Sequence, residues 1–170
     1  MFCLNRVKVL HIEDDAAFSG IVKKSLERFG KVKFQLDHAD TLIQAETMIK
    51  ENKYDVVLLD IDLLDGEGLN TLINVLALLG KTAVIVISSS IDDEDLIVKY
   101  IQLGAQDVYI KTGIRFNDLP VRVLVGLTRY LMANSGDSLT ELRHRITTKL
   151  QNQWKPMTNN LAMSLENING

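Results

Sequence analysis

The chain has 170 residues, 46% of them hydrophobic, and a formal net charge of −3. That length suffices for one ordinary core and an appendage without a metal or disulfide staple. The acidic balance, with a pI near 5.6, excludes a surface built to coat nucleic acid, and the lone Cys3 excludes an internal disulfide and suits a reducing compartment. Residues 1–12 carry no apolar signal core and no later stretch is long and apolar enough for a membrane span, so a cytoplasmic location is expected.

Val7, Val9, Leu10 and Ile12 predict a first strand that runs into Glu13, Asp14 and Asp15. Phe18, Ile21, Val22, Leu26 and Phe29 recur at helical spacing, with Gly30 as the expected stop. The alternation of Val32, Phe34 and Leu36 predicts a second strand. Leu42, Ala45, Met48 and Ile49 predict a helix capped by Asp40 or Thr41. Val56 to Leu59 form a continuous apolar run, the pattern of a strand buried on both faces, and it ends in Asp60. Asp62, Asp65 and the pair Gly66 and Gly68 follow as a tight turn before a helix from Leu69 to about Leu79, closing at Gly80. A fourth strand, Ala83 to Ile87, ends in Ser88, Ser89 and Ser90. An acidic helix start at Asp92 to Asp95 then leads to Tyr100, Leu103 and a Gly104 stop. Val108 to Ile110 make a fifth strand ending in Lys111, and a last helix is expected from about Phe116 to Ala133. Strand and helix alternate throughout, which predicts an α/β fold with a parallel sheet covered on both faces.

The strand ends carry the chemistry. Acids end the first strand, Asp60 the third, hydroxyls the fourth and an ammonium the fifth, all on one edge of the expected sheet. Clustered carboxylates suit Mg²⁺, which takes oxygen ligands and keeps waters or phosphate oxygens. An aspartate among them can be a nucleophile for a phosphoryl group, forming an acyl phosphate. Lys111 and the metal would neutralise the transferring charge, and a serine hydroxyl could donate to a phosphoryl oxygen. Each part alone has a plainer reading. The acids after the first strand could be a helix N-terminal cap, favoured there by about 0.3 to 1 kcal/mol, the serines could be turn residues, and Lys111 could be a solvated strand end. The combination at four strand ends argues against coincidence.

The segments VLHIEDD, VVLLDIDLLDGEGL, VIVISSSIDDE and LGAQDVYIKTG, in this order, resemble the receiver domain of two-component response regulators over about residues 5–133. The resemblance implies a flavodoxin-like (βα)5 fold, a receiver spanning 1–133 and a helical extension or linker over 134–170. It implies a phosphorelay role in which Asp60 accepts a phosphoryl group from a sensor histidine kinase or phosphotransfer protein and a protein-interaction surface then switches. Mg²⁺ would be held by Asp14 and Asp60, by the backbone carbonyl of Asp62, and through water by Glu13. Lys111 would pair with the phosphoryl oxygens. For the family's switch hydroxyl, anchoring on the fourth strand points to Ser88, whereas the gapless count back from IDDE and from Lys111 points to Ser89, which is the residue expected to take that role. The family's switch aromatic falls on Val108, with Tyr109 one place later, and Leu64 and Thr112 stand where many relatives have proline. The receiver would not be an enzyme in the ordinary sense, although it would catalyse its own phosphorylation and dephosphorylation. Its other expected partner is a downstream protein or a fused output domain, with a homodimer as a further expectation and no nucleic acid bound by this chain itself.

An alternative reading is a haloacid dehalogenase-type phosphatase, because Asp60 and Asp62 mimic that family's DxD pair; the order of motifs speaks against it. In the extension, Leu139, Leu142, Ile146 and Leu150 form a narrow apolar stripe that Pro156 interrupts. LRHRITTKL around His144 faintly resembles the histidine box of kinase dimerisation helices, but a solvated helix histidine is the default. His11 and His38 are expected to be strand residues with local partners.

Overall fold

The computed structural model describes residues 6–66, 68–89, 94–113 and 115–134. Cys3, Ser90, His144 and the extension beyond Asn134 lie outside the described residues. Among the described residues five strands and five helices alternate: β1 Arg6–Ile12, α1 Ala16–Glu27, β2 Lys33–Ala39, α2 Leu42–Glu51, β3 Val56–Asp60, α3 Leu69–Leu78, β4 Ala83–Ser88, α4 Glu94–Leu103, β5 Asp107–Ile110 and α5 Leu119–Asn134, with a 3-10 turn at Lys111–Gly113.

All strand pairs are parallel, in the order β2-β1-β3-β4-β5. This is the flavodoxin-like arrangement. Every residue of β3 and β4 is buried, which explains their unbroken apolar runs, whereas edge strands β2 and β5 are mixed. The side-chain alternation of the strands feeds two cores. Leu10, Ile12, Val57, Leu59, Val84 and Val86 pack against Ala45, Leu72, Val75 and Tyr100 of α2, α3 and α4. On the other face Val7, Val9, Val56, Leu58, Ile85 and Ile87 meet Val22 and Leu26 of α1 and Leu119, Val123 and Leu127 of α5. Where α5 crosses β4 only a glycine fits without adjustment, since a Cβ on Gly126 would lie 2.9 Å from Ile85 Cδ1.

Two helix ends differ from the sequence expectation. Gly30 and Gly80, the expected stops of α1 and α3, lie two or three residues past the helix ends. Arg28, at the C-cap of α1, stays right-handed, and Leu79 after α3 passes directly into extended backbone, so neither end needs a left-handed residue. Gly104 does use that freedom, at φ 120°. α5 also starts later than Phe116. A turn at Arg115–Asp118 precedes it, and Pro120 then sits in the first helical turn, where its missing N–H costs nothing.

The chain direction of assembly reverses at β1, which pairs with β2 on one side and β3 on the other. A crevice therefore opens outside the carboxyl ends of β1 and β3, the usual ligand position in such sheets. Glu13 follows β1 and Asp60 ends β3, so the topology sets both carboxylates at that crevice.

Candidate functional site

Asp60 is the last residue of a strand buried on both faces and is itself 1% exposed. Lys111 follows β5, two strands away, and its long side chain crosses the tip of β4 to reach the crevice. Its Nζ donates to Asp60 Oδ2 at 2.8 Å and to Glu13 Oε1 at 2.8 Å. The same ammonium lies 4.6 Å from the centroid of the Phe18 ring, which walls the site from α1. Burial alone would lower the Lys111 pKa, but the hydrogen bonds with Asp60 and Glu13 outweigh it and raise the value, so the amine stays charged.

The three acids after β1 divide between two tasks. Asp15 caps α1, accepting the N–H groups of Ala17 at 2.8 Å and Phe18 at 3.1 Å. Glu13 and Asp14 turn into the crevice instead. With Asp60, each presents one carboxylate oxygen, and the three oxygens lie within 4.8 Å of one another. Asp14 Oδ2 also accepts the Leu64 N–H at 3.1 Å, tying the loop after β3 to the end of β1. Burial, together with the charge on Asp60, pushes the Glu13 carboxyl up to about 7, even though the Lys111 hydrogen bond pulls it down. Three carboxylates against one ammonium leave the crevice with excess negative charge and an oxygen-only donor set, which fits a hard divalent cation such as Mg²⁺. Glu13 Oε2, buried and without a hydrogen-bond partner among the described residues, adds to that fit.

The loop after β3 is built around two further acids. The Asp62 N–H donates to Asp60 Oδ1 at 2.9 Å, so both oxygens of Asp60 have donors. The Asp62 side chain turns to the tip of β4, where Oδ2 accepts from Ser88 Oγ at 2.9 Å and from Ser89 N–H at 2.7 Å and Oγ at 2.8 Å. Asp65 Oδ2 accepts the Leu42 N–H at 2.8 Å, joining this loop to α2. Gly66 allows a close approach, since a Cβ there would sit 2.8 Å from Thr71 Oγ1.

Sequence reasoning gave His11 no part in the site. The structure places it on the same face of β1 as Glu13, two residues on, and fully buried. Its Nδ1 lies 3.3 Å from Ser19 Oγ, and its Nε2 lies 3.8 Å from Glu13 Oε2. Burial, with the nearby His38 and Lys111, pushes its pKa down to about 3, so the ring is neutral. His38 pairs beside it in register, and its Nε2–H donates to the Glu13 backbone carbonyl at 2.7 Å. The i, i+2 spacing of His11 and Glu13 on a strand was the available signal.

Residues 9–123 match the family model described as the response regulator receiver domain. The chain belongs to this family. This receiver is 29% identical over 140 residues to the probable transcriptional regulatory protein SilR of Salmonella typhimurium, covering 82% of the chain and 57% of that protein. It is 29% identical over 133 residues to the KDP operon transcriptional regulatory protein KdpE of Escherichia coli, covering 78% of the chain and 56% of that protein. The chain thus spans just over half the length of the curated relatives it matches. Among solved structures, the signal receiver domain of a Luxo repressor protein from Vibrio parahaemolyticus superposes with a TM-score of 0.64 at 27% identity, covering 78% of this chain and 98% of that one. A response regulator from Thermotoga maritima gives 0.63 at 27% identity, covering 72% and 98%.

The receiver is a signalling module of two-component systems rather than an ordinary enzyme, and none of its described helices is long and apolar enough to cross a membrane. Of the residues expected at the site, Glu13, Asp14, Asp60 and Lys111 meet at one crevice. Ser88, the last residue of β4, is buried and Ser89 is exposed, and both hydroxyls are engaged by Asp62. Asp62 thus accepts from both serines, an arrangement that speaks against the general acid that a phosphatase of the haloacid dehalogenase type would need. Val108 and Tyr109 belong to opposite cores; the Tyr109 hydroxyl donates to Asp107 Oδ2 at 2.7 Å, under the Arg122 guanidinium.

Proposed function

We propose that this receiver accepts a phosphoryl group on Asp60 from the phosphohistidine of a sensor kinase or phosphotransfer protein. The phosphorus–nitrogen bond of the donor breaks as the Asp60 carboxylate oxygen bonds to phosphorus, and the imidazole leaves with the electron pair. The observation that supports this most is the contact between the Lys111 ammonium and the Asp60 carboxylate at 2.8 Å, inside a crevice walled by Glu13 and Phe18. A cation already seated there meets the charge that develops on the transferring oxygens without reorganisation. Mg²⁺, when bound, supplies a second neutralising charge on the phosphoryl oxygens. Asp14 and Asp60 would hold it by side chains, Asp62 by its backbone carbonyl and Glu13 through a water.

Ser89 is proposed as the hydroxyl that leaves Asp62 to donate to a phosphoryl oxygen, moving the β4 tip and so the surface around α4 and α5. Attack of water on the acyl phosphate would reset the receiver. Because the curated relatives are transcriptional regulators of nearly twice the matched length, the readout is assigned to a downstream protein or a fused output domain. The setting is cytoplasmic.

Incubation with acetyl phosphate and Mg²⁺, followed by intact-mass measurement, tests the proposal. One phosphoryl group per chain, absent in Asp60→Asn and without Mg²⁺, is expected. Catalytic turnover of an aryl phosphate with no labelled chain would overturn it in favour of the phosphatase.

A further inference from the structure

The buried side of the crevice holds two polar atoms that face each other without a hydrogen bond. Glu13 Oε1 accepts from Lys111 Nζ at 2.8 Å and from the Asp15 N–H at 3.2 Å. Glu13 Oε2 accepts from nothing, and neither does His11 Nε2 have a partner among the described residues. The two are 3.8 Å apart, both side chains 0% exposed. A buried acceptor left this way keeps its full desolvation penalty, so the pair calls for an explanation.

We propose that His11 is a positioning residue for Glu13: when Lys111 is drawn onto a phosphoryl group at Asp60, the His11 Nε2–H closes on Glu13 Oε2 and keeps that carboxylate aimed at the metal's water. The inference rests on the phosphoryl-acceptor reading above. Lys111 divides itself between Glu13 and Asp60. A phosphoryl group adds negative charge on the Asp60 side and pulls the ammonium that way, which leaves Glu13 with little beyond the Asp15 N–H. A carboxylate oxygen so placed, wholly buried, needs another donor.

His11 is suited to be that donor. Ser19 Oγ, 3.3 Å from Nδ1, can donate its hydroxyl proton there and thereby leave the ring proton on Nε2. The opposite tautomer would set two lone pairs against each other in a dry site. A neutral ring adds a donor without adding a second positive charge that would repel Lys111. Closing the gap to an ordinary hydrogen bond takes a movement of under about 1 Å, within reach of a carboxylate rotation.

Three substitutions separate positioning from packing. His11→Gln keeps an amide donor near the Nε2 position, His11→Asn puts one near Nδ1 only, and His11→Val keeps neither. Mg²⁺ affinity is read by calorimetry in the presence of beryllofluoride as a phosphoryl stand-in. It is expected to fall roughly tenfold for Asn and Val, with Gln restoring most of it. Imidazole nitrogen NMR of the wild-type chain gives a readout that no variant has to survive. The Nε2-protonated tautomer is expected, with its nitrogen shift moving as Mg²⁺ and beryllofluoride saturate the site. An Nδ1-protonated ring, a His11 signal indifferent to both ligands, or equal affinities for Gln and Asn would overturn the assignment of His11 alone. A wild-type chain that binds no Mg²⁺ under any of these conditions would overturn the phosphoryl-acceptor reading, and His11 with it.

Discussion

Ser89 is bound to Asp62 twice, its N–H at 2.7 Å and its hydroxyl at 2.8 Å both donating to Oδ2, which also takes the Ser88 hydroxyl at 2.9 Å. Hydrogen bonds to a charged acceptor are worth roughly 1.5–3 kcal/mol each. A hydroxyl held this way must give up such a bond before it can serve a phosphoryl oxygen. Asp62→Ala removes the competing acceptor while leaving the backbone carbonyl at that position. It is expected to speed labelling of Asp60 by acetyl phosphate, by up to about tenfold for each 1.4 kcal/mol released. An unchanged or slower rate, with the fold intact by circular dichroism, would show that Asp62 does not restrain the serines.

Gly68 holds the turn between that loop and α3 at φ 53° and ψ −116°. This backbone is one that side chains with a Cβ rarely adopt, although space is open around it, the nearest atom to a Cβ being Tyr100 Oη at 3.9 Å. Gly68→Ala is therefore expected to cost about 1–3 kcal/mol through strain alone. Urea denaturation measures it. A loss below about 0.5 kcal/mol would mean that the turn relaxes without effort.

The parts of this structure readable from sequence are those where one dimension already carries the physics. β3 and β4 declare themselves by unbroken apolar runs because both their faces are covered, and Asp60 and Lys111 are conspicuous as charges ending such runs. The division of labour among Glu13, Asp14 and Asp15 is not visible that way. Three like acids in a row become distinct only when α1 begins at Ala16 and its free N–H groups claim Asp15. The Asp62 to Ser89 link is likewise hidden, since it depends on parallel pairing that sets Asp60 opposite Ile87 and so brings the tips of β3 and β4 together. Counting back from Lys111 and anchoring on β4 give different serines because β4 extends one residue past Ile87 before the turn. Both serines end at the same carboxylate.

Tyr54 offers a test away from the site. It is 5% exposed, and its hydroxyl donates to Asp37 Oδ2 at 3.0 Å, joining the entry to β3 with edge strand β2. Burial, reinforced by Asp37, pushes its pKa from 10.0 up to about 12. A folded-state value above the unfolded one means that the stabilisation is fully present below pH 10 and is lost as pH rises through about 12. The stability advantage of wild type over Tyr54→Phe should thus hold level to about pH 10 and shrink above it. Denaturation of both proteins across pH 8 to 12 gives the difference directly, with other titrating groups cancelling. A difference that is flat, or that grows with pH, would contradict the sign.

Lys111 and Asp14 should fail in opposite ways. Lys111 neutralises two buried carboxylates, so Lys111→Ala leaves Glu13 and Asp60 facing each other without a cation. In the absence of divalent ions that variant is expected to be less stable than wild type, and Mg²⁺, binding the folded state only, should restore more stability to it than to wild type. Its Mg²⁺ affinity should be kept or improved, because a competing cation has gone. The surface change on phosphorylation should be lost, for no ammonium remains to follow the phosphoryl group. Asp14→Ala removes a direct oxygen donor, so Mg²⁺ affinity and labelling should fall together, while the ion pairs of Lys111 persist. Thermal unfolding with and without Mg²⁺, set beside labelling by acetyl phosphate, distinguishes the two. Equal losses of Mg²⁺ affinity in both variants would mean that Lys111 is needed to build the metal site rather than to answer the phosphoryl group.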